Sequence, residues 1–214
     1  MHTDISFDDK VNISSADTVL NGKLLIPENS RALVIFVDDS GSSLHDPRNL
    51  AVAEVLQREG FATLLFDLTT PEERTDKGDR LDIHFIAERI RAARKWAEGN
   101  PQTEHLNVGI FAYNTGVASA VLMAADPENR INAIVSLSGR PDLVADSLEK
   151  LQAPILLIVG GADNAVVTFN QKALPAIHSE SALRVLQDSG HGFENSDKLL
   201  EVAYLSRDWF VKHI

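Results

Sequence analysis

Two residues near the carboxyl end of the chain have the types and the spacing of a catalytic acid–base pair. Asp163 follows an apolar run and two glycines, and His191 lies in Ser189-Gly190-His191-Gly192-Phe193. The separation of 28 residues leaves room for one helix and one strand, which places both side chains at neighbouring strand ends. An aspartate that accepts a hydrogen bond from imidazole fixes the tautomer and leaves the other ring nitrogen as a general base. The alternative is a helix-capping aspartate and an unrelated loop histidine, and we favour the pair.

The stretch over residues 106–120 supplies the third position of such a site. It reads as a buried strand, a tight turn and a helix that opens with small residues. Enzymes that expose a serine nucleophile on this kind of turn carry G-x-S-x-G. The corresponding residues here are Ala112-Tyr113-Asn114-Thr115-Gly116, so an asparagine stands where the serine would be. Because an amide nitrogen is not a useful nucleophile at neutral pH, the sequence predicts the turn without its nucleophile.

Other polar residues near predicted strand ends allow further hypotheses. Asp38 and Asp39 are candidates either for a carboxylate base or for a solvated loop with Asx-turn hydrogen bonds. A relocated serine nucleophile is a weaker alternative, since each candidate is more typical of a turn; the candidates are Ser40, Ser42, Ser43, Ser136 and Ser138.

Metal and cofactor sites are not expected. His84 and Glu88 lie one helical turn apart, but no third ligand stands at a useful spacing, so a surface pair is the better interpretation. A divalent-ion site shared by Asp38, Asp39, Asp163 and His191 is a minor alternative. The sequence carries neither a phosphate-binding P-loop nor a dinucleotide-binding glycine motif, and we predict no cofactor.

The composition is that of an acidic globular protein. The 214 residues carry a formal net charge of -11, which argues against nucleic-acid binding because phosphate recognition needs clustered Lys and Arg. The absence of cysteine excludes disulfides and thiolate chemistry. No basic leader segment or membrane-length apolar run is evident, so a cytoplasmic protein without membrane contact is expected.

Strands and helices alternate from residue 31 onward. The predicted strands are short, apolar and unalternating, which is typical of strands buried on both faces of a mostly parallel sheet with helices on either side. Asn21-Gly22 predicts a hairpin turn in an antiparallel edge ribbon over residues 10–26. We expect one domain over residues 1–214, with a loosely ordered segment over residues 1–9. In such sheets, functional residues collect at the carboxyl ends of the strands.

These motifs give the chain a resemblance to a known family. The strand–turn–helix at 106–120, Gly161-Ala162-Asp163 and Gly190-His191-Gly192 resemble the α/β-hydrolase fold, nearest to its dienelactone hydrolase-like and prolyl-oligopeptidase-like branches. The resemblance covers residues from about 20 to 214 and shows no large lid domain.

The resemblance implies a serine at position 114, with His191 as its base and Asp163 as the orienting carboxylate. It also implies that the Thr115 backbone N–H contributes to an oxyanion hole, beside a His-Gly pair after the first buried strand. This chain has Asp38-Asp39-Ser40 at that place, and Ala112 and Tyr113 at the turn, where smaller residues are usual. A carboxylate beside the oxyanion hole would oppose the developing negative charge.

Three explanations fit a chain that keeps the scaffold and changes the catalytic residues. They are natural loss of activity, deliberate rebuilding of the pocket, and a different chemistry that uses Asp38 or Asp39 as base. We favour a rebuilt, engineered pocket on an ester-hydrolase scaffold with little native esterase activity. The alternative is a non-catalytic pocket for a small apolar or carbonyl-bearing ligand, lined by Tyr113, Phe169 and Phe193. Either way the expected partner is a small molecule, and the oligomeric state stays open.

Overall fold

A computed structural model describes residues 4–38, 44–73 and 82–214 of the chain. Its central feature is an eight-stranded sheet in the order β1-β2-β4-β3-β5-β6-β7-β8. The six strands from β4 to β8 in this order are parallel, whereas β1 and β2 are antiparallel to their neighbours. The strands are β1 (Ile5–Ser15), β2 (Thr18–Pro27), β3 (Ala32–Asp38), β4 (Phe61–Phe66), β5 (Asn107–Tyr113), β6 (Ala133–Leu137), β7 (Ile155–Gly160) and β8 (Ser181–Leu186).

Helices cover both faces of this sheet, as the sequence predicts. One apolar core lies between the sheet and the helices over residues 83–98 and 116–124, and a second lies between the sheet and the helices over residues 47–58 and 196–213. The helices are α1 (Pro47–Arg58), α2 (Ile83–Glu98), α3 (Gly116–Ala124), α4 (Ala145–Leu148), α5 (Asn164–Ala173) and α6 (Ser196–His213), with short 3₁₀ turns at Pro127–Asn129, Pro141–Val144 and Leu174–Ala176. The doubly wound α/β architecture is therefore confirmed, and no large lid interrupts the described ranges.

Local sequence signals explain where several of these elements begin and end. Asp46 caps α1 by accepting from the Arg48 backbone N–H, and Pro47 occupies the first helical position. Proline at 175 ends α5 as an α-helix, and the chain continues as one 3₁₀ turn. These boundaries matter for function because α1 and α5 both start beside the carboxyl ends of the strands.

The amino-terminal ribbon differs from the sequence-based expectation. The predicted turn at Asn21-Gly22 is wrong: both residues lie inside β2, where Asn21 pairs with Asn12 and Gly22 with Val11. The chain reverses instead at residues 16–17, with Ala16 in the left-handed region at φ 50°. Residues 5–9, for which loose order was expected, form the first half of β1. Within the described ranges, none of the helices combines the length and apolarity needed to cross a membrane.

Candidate active site

A tight turn between β5 and α3 is the first component of the site. Asn114 follows the last residue of β5 and has φ 52°, in the left-handed region. Its backbone N–H donates to the Leu137 carbonyl of β6 at 3.1 Å, and its own carbonyl accepts from the Val117 N–H at 3.2 Å. Thr115 then occupies the N-cap position of α3. The predicted turn is present, with Asn114 at the position of the implied nucleophile.

Gly116 lets this turn sit close to the sheet. A Cβ atom at Gly116 would lie 3.0 Å from the Val37 Cγ1 atom and 3.3 Å from the Val37 carbonyl oxygen of β3. Close packing against Val37 therefore explains a glycine at position 116, whichever residue occupies position 114.

The predicted pair of Asp163 and His191 is the second component. His191 Nδ1 lies 2.8 Å from Asp163 Oδ2. Asp163 also caps α5, because its Oδ1 accepts from the Val166 backbone N–H at 3.2 Å. Asp163 is therefore both a helix cap and the partner of His191, one role on each carboxylate oxygen, and the alternative of an unrelated loop histidine is wrong. Since a carboxylate only accepts, Nδ1 carries a proton, so in the neutral imidazole Nε2 is the acceptor; the side chain is 40% exposed.

Ser138 holds the loop that carries His191. Its hydroxyl donates to the His191 backbone carbonyl at 2.8 Å, and its backbone N–H donates to the Ile158 carbonyl of β7 at 2.8 Å. Ser138, one of the candidates for a relocated nucleophile, has φ 47°. Its hydroxyl is committed to the histidine loop instead. Ser136 is fully buried, so it is not accessible to a substrate either.

Arg48 and Tyr113 form a stack beside the imidazole that sequence reasoning missed. The Tyr113 ring centroid lies 5.8 Å from that of His191, and the Arg48 guanidinium lies 4.0 Å from the Tyr113 centroid. Asp46 accepts from Arg48 Nε at 2.9 Å and from Nη2 at 2.5 Å. These hydrogen bonds raise the pKa of Arg48 more than burial lowers it. The only available sequence signal was the position of Arg48 in the first turn of α1.

Asp38 is anchored to the start of α1. Its side chain is 1% exposed, Asn49 Nδ2 donates to its Oδ2 at 3.3 Å, and Arg48 Nη2 lies 3.9 Å from the same oxygen. The carboxylate that the sequence placed beside the oxyanion hole is therefore buried among hydrogen-bond donors, where a cation offsets its charge. This setting disfavours Asp38 as a free general base.

Several other predicted positions can be placed only in part. Asp39, Ser40, Ser42 and Ser43 lie outside the described residues. On α2, the carboxylate of Glu88 forms an ion pair with Arg91 rather than with His84. No group of three His, Asp or Glu side chains in the described part of the chain is arranged to hold a metal ion.

Comparison with known proteins identifies the family. The model of the dienelactone hydrolase family matches residues 20–208. The chain belongs to the dienelactone hydrolase family. A crystal structure of a dienelactone hydrolase from Anabaena variabilis is 40% identical, covers 97% of this chain and 98% of that one, and superposes with a TM-score of 0.93.

More distant structures share the fold. The protein Est1E from Butyrivibrio proteoclasticus is 17% identical and superposes with a TM-score of 0.80, over 95% of this chain and 98% of that one. A Xanthomonas campestris protein described as a serine hydrolase without lid is also 17% identical, with a TM-score of 0.75 over 97% and 95% of the two chains.

A curated relative carries a different name. A Mycobacterium tuberculosis protein named "Putative phosphoribosyl transferase" is 44% identical over 207 residues, which is 97% of this chain and 47% of the relative. The chain therefore spans about half the length of this relative.

Proposed function

We propose that this protein is a dienelactone hydrolase-family protein that keeps the base of an ester hydrolase and lacks its serine nucleophile. The observation that carries the proposal is Asn114 at φ 52° on the strand–turn–helix, at the same edge of the sheet as the paired His191 and Asp163. The expected result is little or no serine-type ester hydrolysis.

The chemistry follows from what each group can do. His191 Nε2 is available as a general base, and Asp163 holds the imidazole in the tautomer that this task requires. The Asn114 amide cannot form an acyl-enzyme. Enzymes of the Ser-His-Asp type that lose one triad member keep only about 10³- to 10⁴-fold catalysis over water. We expect at most a residual catalysis of this size from the wild-type protein.

The backbone also favours asparagine at this position. Left-handed φ values strain most side chains, whereas Asn hydrogen-bonds locally and tolerates them. A serine at 114 would therefore carry more backbone strain than the present residue. This proposal concerns the site as it stands, and it holds whether the pocket was rebuilt deliberately or diverged naturally.

The test is to compare the wild type with the Asn114→Ser variant on p-nitrophenyl acetate. We expect the wild type to show no burst, and Asn114→Ser to show a burst that a serine-directed phosphonate abolishes. Asn114→Ala is the matched control for the altered turn, and a variant that combines Asn114→Ser with His191→Ala is the control for the base. A phosphonate-sensitive burst in the wild type would refute the proposal.

A second candidate function is ligand binding without turnover, and two guanidinium–aromatic stacks favour it. Besides the pair of Arg48 and Tyr113, the Arg140 guanidinium lies 3.7 Å from the Phe169 ring centroid. The partly exposed Phe169 ring would pack against an apolar ligand. The guanidinium N–H groups of Arg48 and Arg140 that do not donate to Asp46 and Asp142 would donate to its carbonyl oxygen. Tyr113 and Phe193 are both buried in the same core, at 7% and 1% exposed, so neither ring presents an open face to a ligand.

A ligand of this kind should raise the melting temperature without being consumed. We would titrate a non-hydrolysable ketone analogue of a short ester and record both melting temperature and ligand integrity. Phe169→Ala should weaken the shift, because it removes one aromatic face. Turnover of the matching ester by the wild type would favour hydrolysis over mere binding.

We also propose that the hydrolase-like part is what this chain shares with the mycobacterial relative. The dienelactone hydrolase model spans residues 20–208, which account for most of the matched region. In this proposal the transferase name refers to the half of the relative that the chain does not cover. An assay of this chain for phosphoribosyl transfer should then show no activity.

A further inference from the structure

A polar cavity opens at the opposite edge of the sheet from Asn114 and His191. It has a volume of about 400 Å³ and lies between the end of α2, the segment before β5 and the segment before β6. Because β5 rises about 3.3 Å per residue, its amino end lies about 20 Å from the turn at Asn114. The cavity is therefore separate from the candidate active site.

The cavity contains a buried arginine whose hydrogen bonds are incomplete. The Arg94 side chain lines it and is only 8% exposed. Its Nη1 atom forms an ion pair with Glu98 at 2.6 Å, but neither Nη1 nor Nε makes a well-aligned hydrogen bond to any described residue. A buried charged donor without an acceptor is costly, and native proteins rarely leave one without a reason.

A second arginine lines the same cavity. Arg130 ends the 3₁₀ turn before β6, is exposed, and forms no ion pair with any described residue. Two arginines therefore line one concave surface, and the guanidinium group is the side chain that binds phosphate and carboxylate groups through paired N–H donors. The positions of Arg94 and Arg130 therefore indicate an oxyanion as the ligand group.

Two carboxylates line the cavity, and their negative charge limits which other groups the ligand can have. Glu98 already offsets one positive charge through Arg94, and Glu104 also lines the cavity. The Glu104 carboxylate can accept a hydrogen bond from a hydroxyl group of the ligand, whereas it would repel a second anionic group. A neighbouring cavity of about 330 Å³ shares His105 and Leu106 as lining residues, which extends the available surface.

We propose that this cavity binds the oxyanion of a small hydroxylated metabolite, either a phosphate ester or a hydroxycarboxylate. Arg94 and Arg130 hold the oxyanion, and Glu104 accepts from a ligand hydroxyl. The volume falls within the range of about 300–1,000 Å³ that is usual for small-molecule sites. The inference does not depend on the chemistry at Asn114.

Isothermal titration calorimetry with three probes tests the proposal. Glycerol 3-phosphate and D-glycerate differ in the oxyanion and share the hydroxyl groups, and glycerol is the neutral control. We expect saturable binding of at least one anion and none of glycerol, and the tighter anion identifies the class. Absence of saturable binding of both anions up to about 10 mM, a concentration well above a millimolar dissociation constant, would overturn the proposal.

Three variants locate the binding. Arg130→Asn removes the exposed cation at φ 43° and retains a residue that tolerates this backbone, so it should weaken binding about tenfold or more. Arg91→Gln is the matched control, since Arg91 lies on α2 but does not line this cavity. His191→Ala should leave the affinity unchanged. Equal affinity in Arg130→Asn and wild type, or loss of binding in His191→Ala, would overturn the assignment.

Discussion

Gly160, at the carboxyl end of β7, should control the position of His191. A Cβ atom added there would lie 2.4 Å from the Gly190 carbonyl oxygen and 2.6 Å from that of Ser189. Both are backbone atoms of the loop that carries His191, so a rotamer change cannot relieve the overlap. The loop would have to retreat by about 0.6 Å to bring the shorter contact to 3.0 Å, below which real Cβ contacts are essentially absent.

The cost of Gly160→Ala can be built from two contributions. Overpacking of a well-packed site costs about 1–3 kcal/mol. The same retreat lengthens the 2.8 Å hydrogen bond from Ser138 to the His191 carbonyl, and the loss of such a bond costs about 1 kcal/mol. We therefore expect the free energy of unfolding to fall by about 2–4 kcal/mol. For a chain of this size the melting temperature should fall by roughly 5–15 °C.

Gly161→Ala is the matched control for this substitution. Its nearest atoms would lie 3.2 Å away, and one of them is the end of the Gln187 side chain, which can move. We expect this variant to lose less than about 1 kcal/mol by urea denaturation. In the Asn114→Ser background, Gly160→Ala should also lower esterase activity more than Gly161→Ala does. A Gly160→Ala protein as stable as the wild type would refute the packing argument.

Three further predictions concern charge, backbone strain and loop position. Burial raises the pKa of Asp46, but hydrogen bonds and charge from Arg48 outweigh burial and hold that pKa below its usual value. Asp46→Asn should therefore be less stable than wild type above about pH 4, and urea denaturation should show the gap closing as the pH falls through the lowered folded-state pKa. Asn114→Val should lower the free energy of unfolding by about 1–2 kcal/mol, because a β-branched residue fits poorly at φ 52°. Asn114→Gly should not destabilise the protein, since glycine adopts this backbone conformation without strain. Equal melting temperatures for the two variants would contradict this prediction. In the Asn114→Ser background, Ser138→Ala should lower kcat about tenfold with little change in KM, since it releases the His191 carbonyl; an unchanged kcat would count against a positioning role.

The sequence predicted the features that depend on neighbours along the chain. The buried strands and the turn at Asn114 both follow from local patterns of apolar and small residues. The pair of Asp163 and His191 could be predicted because each residue directly follows a strand in a parallel sheet, and neighbouring strand ends converge. The hairpin turn was misplaced because Asn21-Gly22 is a strong local signal, whereas pairing of β2 with both β1 and β4 determines the register.

The features that the sequence did not predict depend on contacts between distant segments. Ser138 and His191 are 53 residues apart in the chain, and no local pattern marks their hydrogen bond. The stack of Arg48 on Tyr113 likewise joins α1 to the end of β5. Anchoring of Asp38 by Asn49 could not be foreseen, because acidic residues in a Ser/Gly-rich loop usually indicate a solvated turn.

Intact-mass spectrometry after exposure to a fluorophosphonate tests the central claim most directly. The account predicts no covalent adduct on the wild type and one adduct on Asn114→Ser, located at residue 114 by peptide mapping. The adduct should form much more slowly when His191→Ala is added, because the serine then lacks its base. A stoichiometric adduct on the wild type would contradict the claim that this family member has lost its nucleophile.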